Sequence, residues 1–333
     1  MMLLSIIVLA GCSASEEPRI YSIQGPIMGT QYHVKVVLPA EREALLPQLK
    51  QGIFDALTEV DQLMSTYKPS SEVSRFNAVK ELTWFELSPA TFEVVKRSQE
   101  LSENTGGAFD ITVGPLVNLW GFGPQRRADE APLPEQIQQV REYVGYQLLE
   151  LDESRRAIRK RHPELYIDLS AIAKGYAVDQ VAEYLQGQSV NDFLVEVGGE
   201  IRVNGQKPGG ELWRLAIEVP QPEQRAIEGI VELTGKAMAT SGDYRNYYEK
   251  DGKRYSHTIA PPTGYPITHT LAAVSVIHES CATADALATA FMVMGTQQAM
   301  EYAVEQGIAA YFIDRVDNEF VTVQTEQFKQ FLK

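Results

Sequence analysis

The sequence contains none of the short motifs that mark the commonest nucleotide and metal sites. It has no Gly-x-x-x-x-Gly-Lys-Ser/Thr loop, which excludes a P-loop phosphate site, and no Gly-x-Gly-x-x-Gly between strand and helix, which argues against a Rossmann nucleotide site. No cysteine and histidine cluster has zinc spacing, and no Gly-x-Ser-x-Gly elbow is present. A ligand site in this chain must be built from other residues.

Positive charge is also scarce. The chain has 44 Asp and Glu residues against 30 Lys and Arg, which gives a formal net charge of −14. Nucleic acids and anionic membrane surfaces are therefore not expected to bind through electrostatic attraction. A phosphate ligand on so acidic a protein needs local help, either from a metal ion or from oriented backbone amides.

The sequence also has few long apolar stretches. Residues 1–10 are almost wholly apolar, but they are too few to cross a bilayer as a helix. The Leu-Ala-Gly-Cys sequence that ends at Cys12 resembles a bacterial lipobox, and a polar run follows it, although the usual basic segment before the apolar one is missing. We therefore expect residues 1–11 to be a lipoprotein signal peptide. Residues 12–20 are expected to be a tether with a lipid on Cys12.

Only two cysteines are present, Cys12 and Cys281. If Cys12 carries a lipid, an intramolecular disulfide is excluded, and an oxidising compartment adds no covalent cross-link. Cys281 lies in a stretch of small residues, which is typical of a buried and unreactive thiol.

The rest of the chain has the composition of an ordinary soluble globular protein, with 44% hydrophobic and 22% charged residues. Predicted strands and helices do not alternate strictly and hairpins dominate. We therefore predict an α+β fold of mixed, largely antiparallel sheets with packed helices, in a single large domain over residues 21–333. The predicted helices cover residues 43–64, 88–106, 135–144, 170–186, 281–294 and 296–306 and a short C-terminal stretch. The predicted strands cover residues 23–38 (broken at Gly25-Pro26), 148–167 as a hairpin, 193–197, 200–204, 212–219, 227–233, 237–240, 244–259 and 271–278 and a last pair near the C-terminus.

Local signals define several of these boundaries. Ser88-Pro89 predicts a helix start, Ser170 is the predicted cap of another helix, and Gly295 is the predicted end of a third. Residues 107–124 mix glycine and proline with large apolar residues, which predicts a loop packed onto the body of the protein. Residues 155–161 include five basic residues, for which a solvated hairpin edge is favoured over a docking patch.

Asp285 and Thr289 lie four residues apart in a predicted helix, so both oxygen-bearing side chains project from one face. A carboxylate and a hydroxyl, completed by water and phosphate oxygens, suit Mg²⁺, which prefers hard oxygen ligands. Several alanines around the pair leave room for close approach to this helix. The pair alone is a weak signal, because Thr289 could instead bond to the helix backbone.

The stretch from Asp168 to Lys174 opens another predicted helix. Backbone amides at a helix N-terminus bind phosphate, and Lys174 adds a cation near the first turns. A purely structural capped helix would account for Ser170 but would leave Asp168 and Lys174 unexplained.

His257 is one of only five histidines. It lies between a predicted hairpin with Asp251-Gly252 at its turn and the sharp break at residues 261–264. A histidine at a strand end beside a rigid loop is well placed to meet a substrate. Judged on the local sequence alone, an ordinary surface histidine is favoured, so a catalytic role depends on the rest of the chain.

Eight segments, taken together and in order, resemble the ApbE family of periplasmic FAD:protein FMN transferases over nearly all of residues 21–333. Each segment alone is unspecific, but the ordered set is specific. The segments are Met28-Gly-Thr, Ser65-Thr-Tyr, Gly107-Ala-Phe-Asp-Ile-Thr-Val-Gly-Pro-Leu-Val, Asp168-Leu-Ser-Ala-Ile-Ala-Lys-Gly, Val197-Gly-Gly-Glu-Ile, Ala239-Thr-Ser-Gly-Asp-Tyr-Arg-Asn, Ser256-His-Thr-Ile and Thr283-Ala-Asp-Ala-Leu-Ala-Thr.

The resemblance implies an enzyme that binds FAD and Mg²⁺, transfers the FMN half of FAD as a phosphoester to a threonine or serine hydroxyl of an acceptor protein, and releases AMP. It implies a periplasmic location. A lipid on Cys12 would in addition anchor the protein to the inner or the outer membrane. The implied acceptors are membrane redox subunits such as those of Na⁺-translocating NADH:quinone reductase or Rnf-type complexes, and nucleic acid is not an expected partner. The implied base that activates the acceptor hydroxyl is His257. The implied Mg²⁺ ligands are Asp285, Thr289 and the backbone carbonyl of Ala171. The implied FAD contacts are Met28, Tyr67, Ala108, Phe109, Asp110, Asp168, Lys174 and Ile259.

The chemistry agrees with these roles, because a threonine hydroxyl needs a positioned base and histidine titrates in the right range. The sequence departs from the family pattern at Ala260, where many members have aspartate, so proton abstraction rests on His257 without a carboxylate three residues later. Two alternatives remain open at this point. One is a Mg²⁺-dependent FAD pyrophosphatase that yields FMN and AMP, and the other is a flavin-binding lipoprotein without catalytic activity.

Overall fold

The computed structural model describes residues 17–124, 130–221, 226–243, 247–250, 253–317 and 319–333. The predicted signal peptide, Cys12 and the predicted turn residues Asp251 and Gly252 lie outside these ranges. Within them, no helix combines the length and the apolar character that crossing a membrane requires.

The strands of the described residues are β1 (Arg19–Ile27), β2 (Thr30–Leu38), β3 (Phe85–Glu86), β4 (Leu149–Asp152), β5 (Ala157–Lys160), β6 (Phe193–Val197), β7 (Glu200–Asn204), β8 (Trp213–Glu218), β9 (Ile227–Leu233), β10 (Lys236–Gly242), β11 (Tyr247–Lys250), β12 (Lys253–Ser256), β13 (Ile259–Ala260), β14 (Tyr265–Pro266), β15 (Leu271–His278), β16 (Ala309–Val316) and β17 (Glu319–Gln324). The helices are α1 (Leu46–Met64), α2 (Glu72–Ala78), α3 (Pro89–Asn104), α4 (Gly114–Leu119), α5 (Pro134–Arg141), α6 (Ala173–Gly187), α7 (Cys281–Met294), α8 (Thr296–Glu305) and α9 (Glu326–Lys329). Short 3₁₀ turns cover Ala40–Leu45, Ile111–Val113 and Tyr146–Leu148.

The centre of the fold is an eight-stranded sheet in the order β1-β2-β6-β7-β10-β15-β16-β17. All of its strand pairings between described residues are antiparallel. Smaller sheets are formed by β3-β5-β4, β8-β9, β11-β12 and β13-β14. The predicted α+β class with largely antiparallel sheets is confirmed.

The large sheet is covered on both faces, and β15 shows this most clearly. Its residues Val274 and Val276 join the main core with the helices, whereas Ala273 and Ile277 join a second core with Trp213 and other residues of β8, β9 and α9. Alternate side chains of a strand point to opposite faces, so a strand covered on both sides becomes hydrophobic without alternation. The sequence of β15 therefore reflects a central position in the sheet.

Helices α6 and α7 pack with their backbones almost in contact. A Cβ atom on Gly175 would lie 2.4 Å from the carbonyl oxygen of Cys281 and 2.8 Å from the Cα of Ala282. The Asp179 carboxylate on α6 accepts hydrogen bonds from the Cys281 and Ala282 amides at 3.0 and 3.1 Å. It thus satisfies backbone donors at the start of α7, where a negative charge is also favourable. The close approach predicted from the alanines of α7 is confirmed.

Three sequence predictions near the site are wrong in detail. Residues 107–124 are not all loop, because a 3₁₀ turn at Ile111–Val113 runs into α4, where Pro115 occupies the first helical turn that tolerates proline. Ser170 does not cap α6, which begins at Ala173, since the Ser170 amide and hydroxyl donate to Asp168 instead. The predicted interruption at Gly25-Pro26 is also absent, because β1 is an edge strand and one side of an edge strand needs no amide donor.

Residues 247–256 form a separate hairpin, β11 and β12, and do not continue the large sheet as predicted. The hairpin itself is confirmed. Two of its rings pack against residues at the end of α4 and just after it, since Tyr255 contacts Trp120 and Tyr248 stacks on Phe122. The sequence defines a strand pair here but carries no signal for its partner.

The basic side chains of the β4–β5 hairpin mostly have partners within the protein. Arg159 and Arg161 both pair with Glu150, and Arg155 lies 3.6 Å from Glu86. Lys160 is buried and donates to two backbone carbonyls at the end of α2, so it is not part of a solvated edge as predicted. Two carboxylates face these three arginines, which lowers but does not cancel the positive charge of the hairpin.

Candidate active site

The candidate site begins at the junction of α6, α7 and the turn between β6 and β7. Lys174 Nζ lies 2.8 Å from Glu200 Oε1 and 3.6 Å from Asp285 Oδ2. The Asp285 and Glu200 side chains are 4% and 5% exposed to solvent, whereas the Lys174 side chain is 31% exposed. Three titratable side chains therefore meet where the fold excludes most of the water.

Asp285 is held by the backbone of the neighbouring helix. The Gly175 amide donates to Asp285 Oδ2 at 3.1 Å. Gly175 lies in the first turn of α6, where backbone amides have no partner within the helix, so Asp285 satisfies this donor. Ala171 precedes the helix, and no hydrogen bond to its oxygen is seen among the described residues. The carbonyl that the resemblance assigns to the cation is therefore not used by the helix.

Thr289 lies one turn after Asp285 on α7, as predicted. Its hydroxyl is 3.4 Å from the hydroxyl of Ser241 on β10, which is a weak contact at most. The Asp285 carboxylate and the Thr289 hydroxyl are hard oxygen ligands of the kind that suits Mg²⁺, and the Ala171 carbonyl is the third ligand that the resemblance implies. The described residues contain no group of three or more His, Cys, Asp or Glu that could hold a metal, and this mixed set does not require one.

The charges of this cluster are set by burial and by each other. Burial opposes the charged form of Lys174, but the carboxylates of Asp285 and Glu200 raise its pKa above the ordinary value, so the ammonium group persists at neutral pH. Burial raises the pKa of Glu200 to about 8, against the opposing effect of Lys174. Burial likewise raises the pKa of Cys281, which confirms the predicted buried thiol and keeps it protonated.

Asp168 lies just before this junction. Its Oδ1 accepts from the Ser170 amide at 2.9 Å and from the Ser170 hydroxyl, and its own amide donates to the Ile111 carbonyl at 2.7 Å. Tyr67 is 67% exposed, and its pKa is raised by partial burial and by the charge of Asp168. The two predicted FAD contacts therefore share one electrostatic environment, with an exposed aromatic ring available for stacking.

Ala108, Phe109 and Asp110 are all buried. The Asp110 carboxylate accepts from the Thr112 amide and hydroxyl, both at 2.7 Å, and from the Tyr146 amide at 2.8 Å. Burial raises the pKa of Asp110 in spite of these bonds. In this structure the hydrogen bonds of Asp110 hold the turn that continues to Ile111. The Ile111 carbonyl in turn accepts a hydrogen bond from the Asp168 amide.

Met28 occupies the tight turn between β1 and β2. Its φ of 48° and the φ of 71° at Gly29 define a turn with two left-handed residues. A methionine rarely adopts this conformation, and such residues cluster at functional sites. A Cβ on Gly198 would lie 3.0 Å from Thr30 and 3.4 Å from Lys174, so the turn reaches the charged cluster.

His257 lies between β12 and β13 and is half-buried. Its ring meets the edge of Phe122 with centroids 6.3 Å apart. Trp120 donates from Nε1 to the Gly264 carbonyl at 2.9 Å and packs against Tyr255. Ile259 is buried in the same small core as Trp120. Aromatic side chains around α4 thus fix the loop that carries the histidine.

Glu200, Gly175, Gly198 and Ser241 belong to the site but had no role in the sequence prediction. Glu200 and Gly198 stand in the Val197-Gly-Gly-Glu-Ile segment, Gly175 ends the segment that begins at Asp168, and Ser241 stands in the segment that begins at Ala239. Membership in these segments was the available signal, but the contacts of the four residues depend on which elements pack together.

Known proteins resemble this chain over almost its whole length. The sequence model of the ApbE family matches residues 28–312. The chain is 44% identical to the FAD:protein FMN transferase of Vibrio cholerae over 333 residues, which cover 99% of this chain and 97% of the relative. It is 42% identical to the protein of the same name from Haemophilus influenzae over 326 residues, covering 97% and 94%. The solved structure described as flavin transferase ApbE from Vibrio cholerae superimposes with a TM-score of 0.88 at 43% identity, covering 95% of this chain and 100% of that one. The chain belongs to the ApbE family.

Proposed function

We propose that this protein is an FAD:protein FMN transferase. It transfers the FMN half of FAD to a threonine or serine hydroxyl of an acceptor protein and releases AMP. The observation that carries the proposal is the match to transferases over almost the whole chain, together with Asp285 and Thr289 one turn apart on α7 and Lys174 3.6 Å from Asp285. An oxygen pair beside an ammonium group suits a cation and a pyrophosphate together.

The reaction is a displacement at phosphorus. The acceptor hydroxyl oxygen attacks the phosphorus atom of the FMN half, the bond to the bridging oxygen breaks, and AMP leaves with that oxygen. Ala171, Asp285 and Thr289 would hold Mg²⁺, which would supply charge neutralisation at the pyrophosphate. Lys174 faces the same negative charge from the α6 side.

His257 takes the proton of the attacking hydroxyl. A neutral imidazole is the right base at neutral pH, and positioning it is worth about 100- to 10,000-fold in rate. The half-buried loop suits this task because an acceptor protein has to reach it. Tyr67 offers an exposed ring for stacking on an aromatic part of FAD.

The proposal includes a periplasmic location with the lipid of Cys12 in the inner or outer membrane. Its acceptors are periplasm-facing subunits of membrane redox complexes such as Na⁺-translocating NADH:quinone reductase or Rnf-type complexes. The N-terminal sequence pattern supports the location, and the family supports the acceptor class.

The test is mass spectrometry of an acceptor after incubation with the protein, FAD and Mg²⁺. We expect a mass gain equal to FMN minus water on a threonine or serine, together with stoichiometric AMP. Free FMN and AMP without acceptor modification would instead identify a pyrophosphatase. Tight FAD binding without any AMP would identify a flavin-binding protein and overturn the proposal.

A further inference from the structure

Glu200 is a buried carboxyl group with one oxygen left over. The residue is 4% exposed, its Oε1 accepts from Lys174, and its Oε2 is buried without a hydrogen-bond partner. An unsatisfied buried oxygen costs free energy, and native proteins contain few of them. Glu200 therefore lowers the stability of the fold, which points to a role other than packing.

Lys174 stands between two carboxyl groups at unequal distances. Its Nζ is 2.8 Å from Glu200 and 3.6 Å from Asp285, so the hydrogen bond goes to Glu200. A movement of about 0.8 Å would bring the ammonium group into hydrogen-bond distance of Asp285. The lysine stem passes the turn at Gly198, where a Cβ would be in van der Waals contact with it at 3.4 Å.

An ammonium group on Asp285 would compete with a divalent cation for the same carboxylate. Asp285 already uses Oδ2 for the Gly175 amide, and no hydrogen bond to its Oδ1 is seen among the described residues. Any group that holds Lys174 away therefore keeps Asp285 open to a cation. Partners behind the direct ligands of a metal commonly change its affinity by about 10- to 100-fold.

We propose that Glu200 is a positioning residue for the cation site: by accepting the hydrogen bond of Lys174, it keeps the ammonium group off Asp285. The inference rests on the proposed function, because it takes Asp285 as a cation ligand. Oε1 accepts this bond whether the carboxyl group is charged or neutral. The role therefore belongs to the acceptor atom and not to the charge.

The test compares the Mn²⁺ affinity of variants with that of the wild type. Binding is followed by the loss of the paramagnetic resonance signal of free Mn²⁺, once with FAD and once without it, and no acceptor is present. Glu200→Leu keeps bulk but removes the acceptor, and its dissociation constant should rise about tenfold or more. Glu200→Gln keeps an acceptor oxygen and should stay within about threefold of the wild type. The double variant E200L/K174M has no ammonium group to misplace and should regain most of the lost affinity.

The matched control is Glu196→Gln. Glu196 accepts from the Gly199 amide at 2.7 Å in the same turn but pairs with His33, away from Lys174. Its replacement should leave Mn²⁺ affinity unchanged. If Glu200→Leu does not fold, Glu200→Ala carries the same expectation.

Wild-type affinity in Glu200→Leu, or a double variant no tighter than the single one, would overturn the inference while leaving FMN transfer to be judged by mass. If Asp285→Asn does not weaken Mn²⁺ binding, the metal part of the proposed function fails and the inference fails with it. A purely packing role for Glu200 would lower the melting temperature without moving the dissociation constant.

Discussion

The candidate site has two proposed ends, the α6–α7 junction and the His257 loop, and they are built by different means. At the α6–α7 junction, backbone amides do the positioning: the Gly175 amide holds Asp285, and Asp179 holds the amides at the start of α7. At the His257 loop, side-chain rings do it, through Phe122 and Trp120. Asp285 is buried, whereas His257 is half-buried, as are Lys174 and Thr289.

The difference agrees with the ligands proposed for the two ends, which are a cation and a pyrophosphate at the α6–α7 junction and an acceptor protein at the His257 loop. A cation and a pyrophosphate need fixed oxygen and nitrogen atoms, which a close helix pair supplies at little cost in mobility. An acceptor protein must bring its own hydroxyl group to His257, so that end has to remain accessible. Variants at the two ends should therefore fail in different ways.

The largest expected effect comes from His257→Asn. Removal of the base should lower the rate of FMN transfer by about 100- to 10,000-fold and leave FAD binding intact. Rates follow from acceptor mass, and binding follows from flavin fluorescence. His162→Asn is the control, because His162 stacks on Tyr143 instead. Loss of FAD binding in His257→Asn would remove the distinction between the two ends.

Asp285→Ala should lower transfer by at least about 100-fold, because a bound cation is worth several kcal/mol of charge stabilisation. Unlike the histidine variant, it should also lose the Mg²⁺ dependence of the residual rate. A Mg²⁺ titration of the transfer rate checks both points. Full activity with unchanged Mg²⁺ dependence would place the cation elsewhere.

Gly175→Ala tests the close approach itself. The new methyl group would meet the backbone of α7 at 2.4 Å, so the helices must separate and Asp285 must move. We expect a loss of about 1–3 kcal/mol in the free energy of unfolding and a clear drop in transfer. Gly187→Ala, in the same helix with nothing within 4 Å of the added atom, should be neutral or stabilising. Denaturant unfolding of both variants provides the comparison.

The smallest effect is expected from Trp120→Phe. It removes the hydrogen bond to the Gly264 carbonyl, worth about 1 kcal/mol, but keeps an aromatic ring under the His257 loop. Transfer should fall by a few-fold through a weaker response to acceptor concentration, and cation affinity should not change. Trp84→Phe, which keeps the contact with Arg159, is the control. A changed Mg²⁺ dependence in Trp120→Phe would mean that the two ends are coupled.

The sequence predicted elements best where a local rule decides the conformation. Ser88 accepts from the Thr91 amide at the start of α3, and Gly295 ends α7 with a φ of 76°, both as predicted. The local rule failed at Ser170, because the competing partner Asp168 was two residues away and equally able to bond. It also failed at α4, where glycine and proline hid a single helical stretch.

In the candidate site, too, the local features were predicted and the contacts between distant elements were not. The spacing of Asp285 and Thr289 on one helix is a local property and is observed as predicted. That Asp285 would take the Gly175 amide, or that Glu200 would meet Lys174, depends on which helix and strand pack together. Neither contact leaves a trace in a short stretch of sequence.

The hydrogen bond between Gly175 and Asp285 also makes the backbone a reporter. An amide proton that points at a carboxylate feels directly any change in the charge of that carboxylate, whereas its helical neighbours do not. Glycine amides resonate in a sparsely populated part of the nitrogen–proton correlation spectrum. In nitrogen-15-labelled protein, a single backbone resonance can therefore follow the occupancy of the cation site in solution, without an attached probe and without turnover.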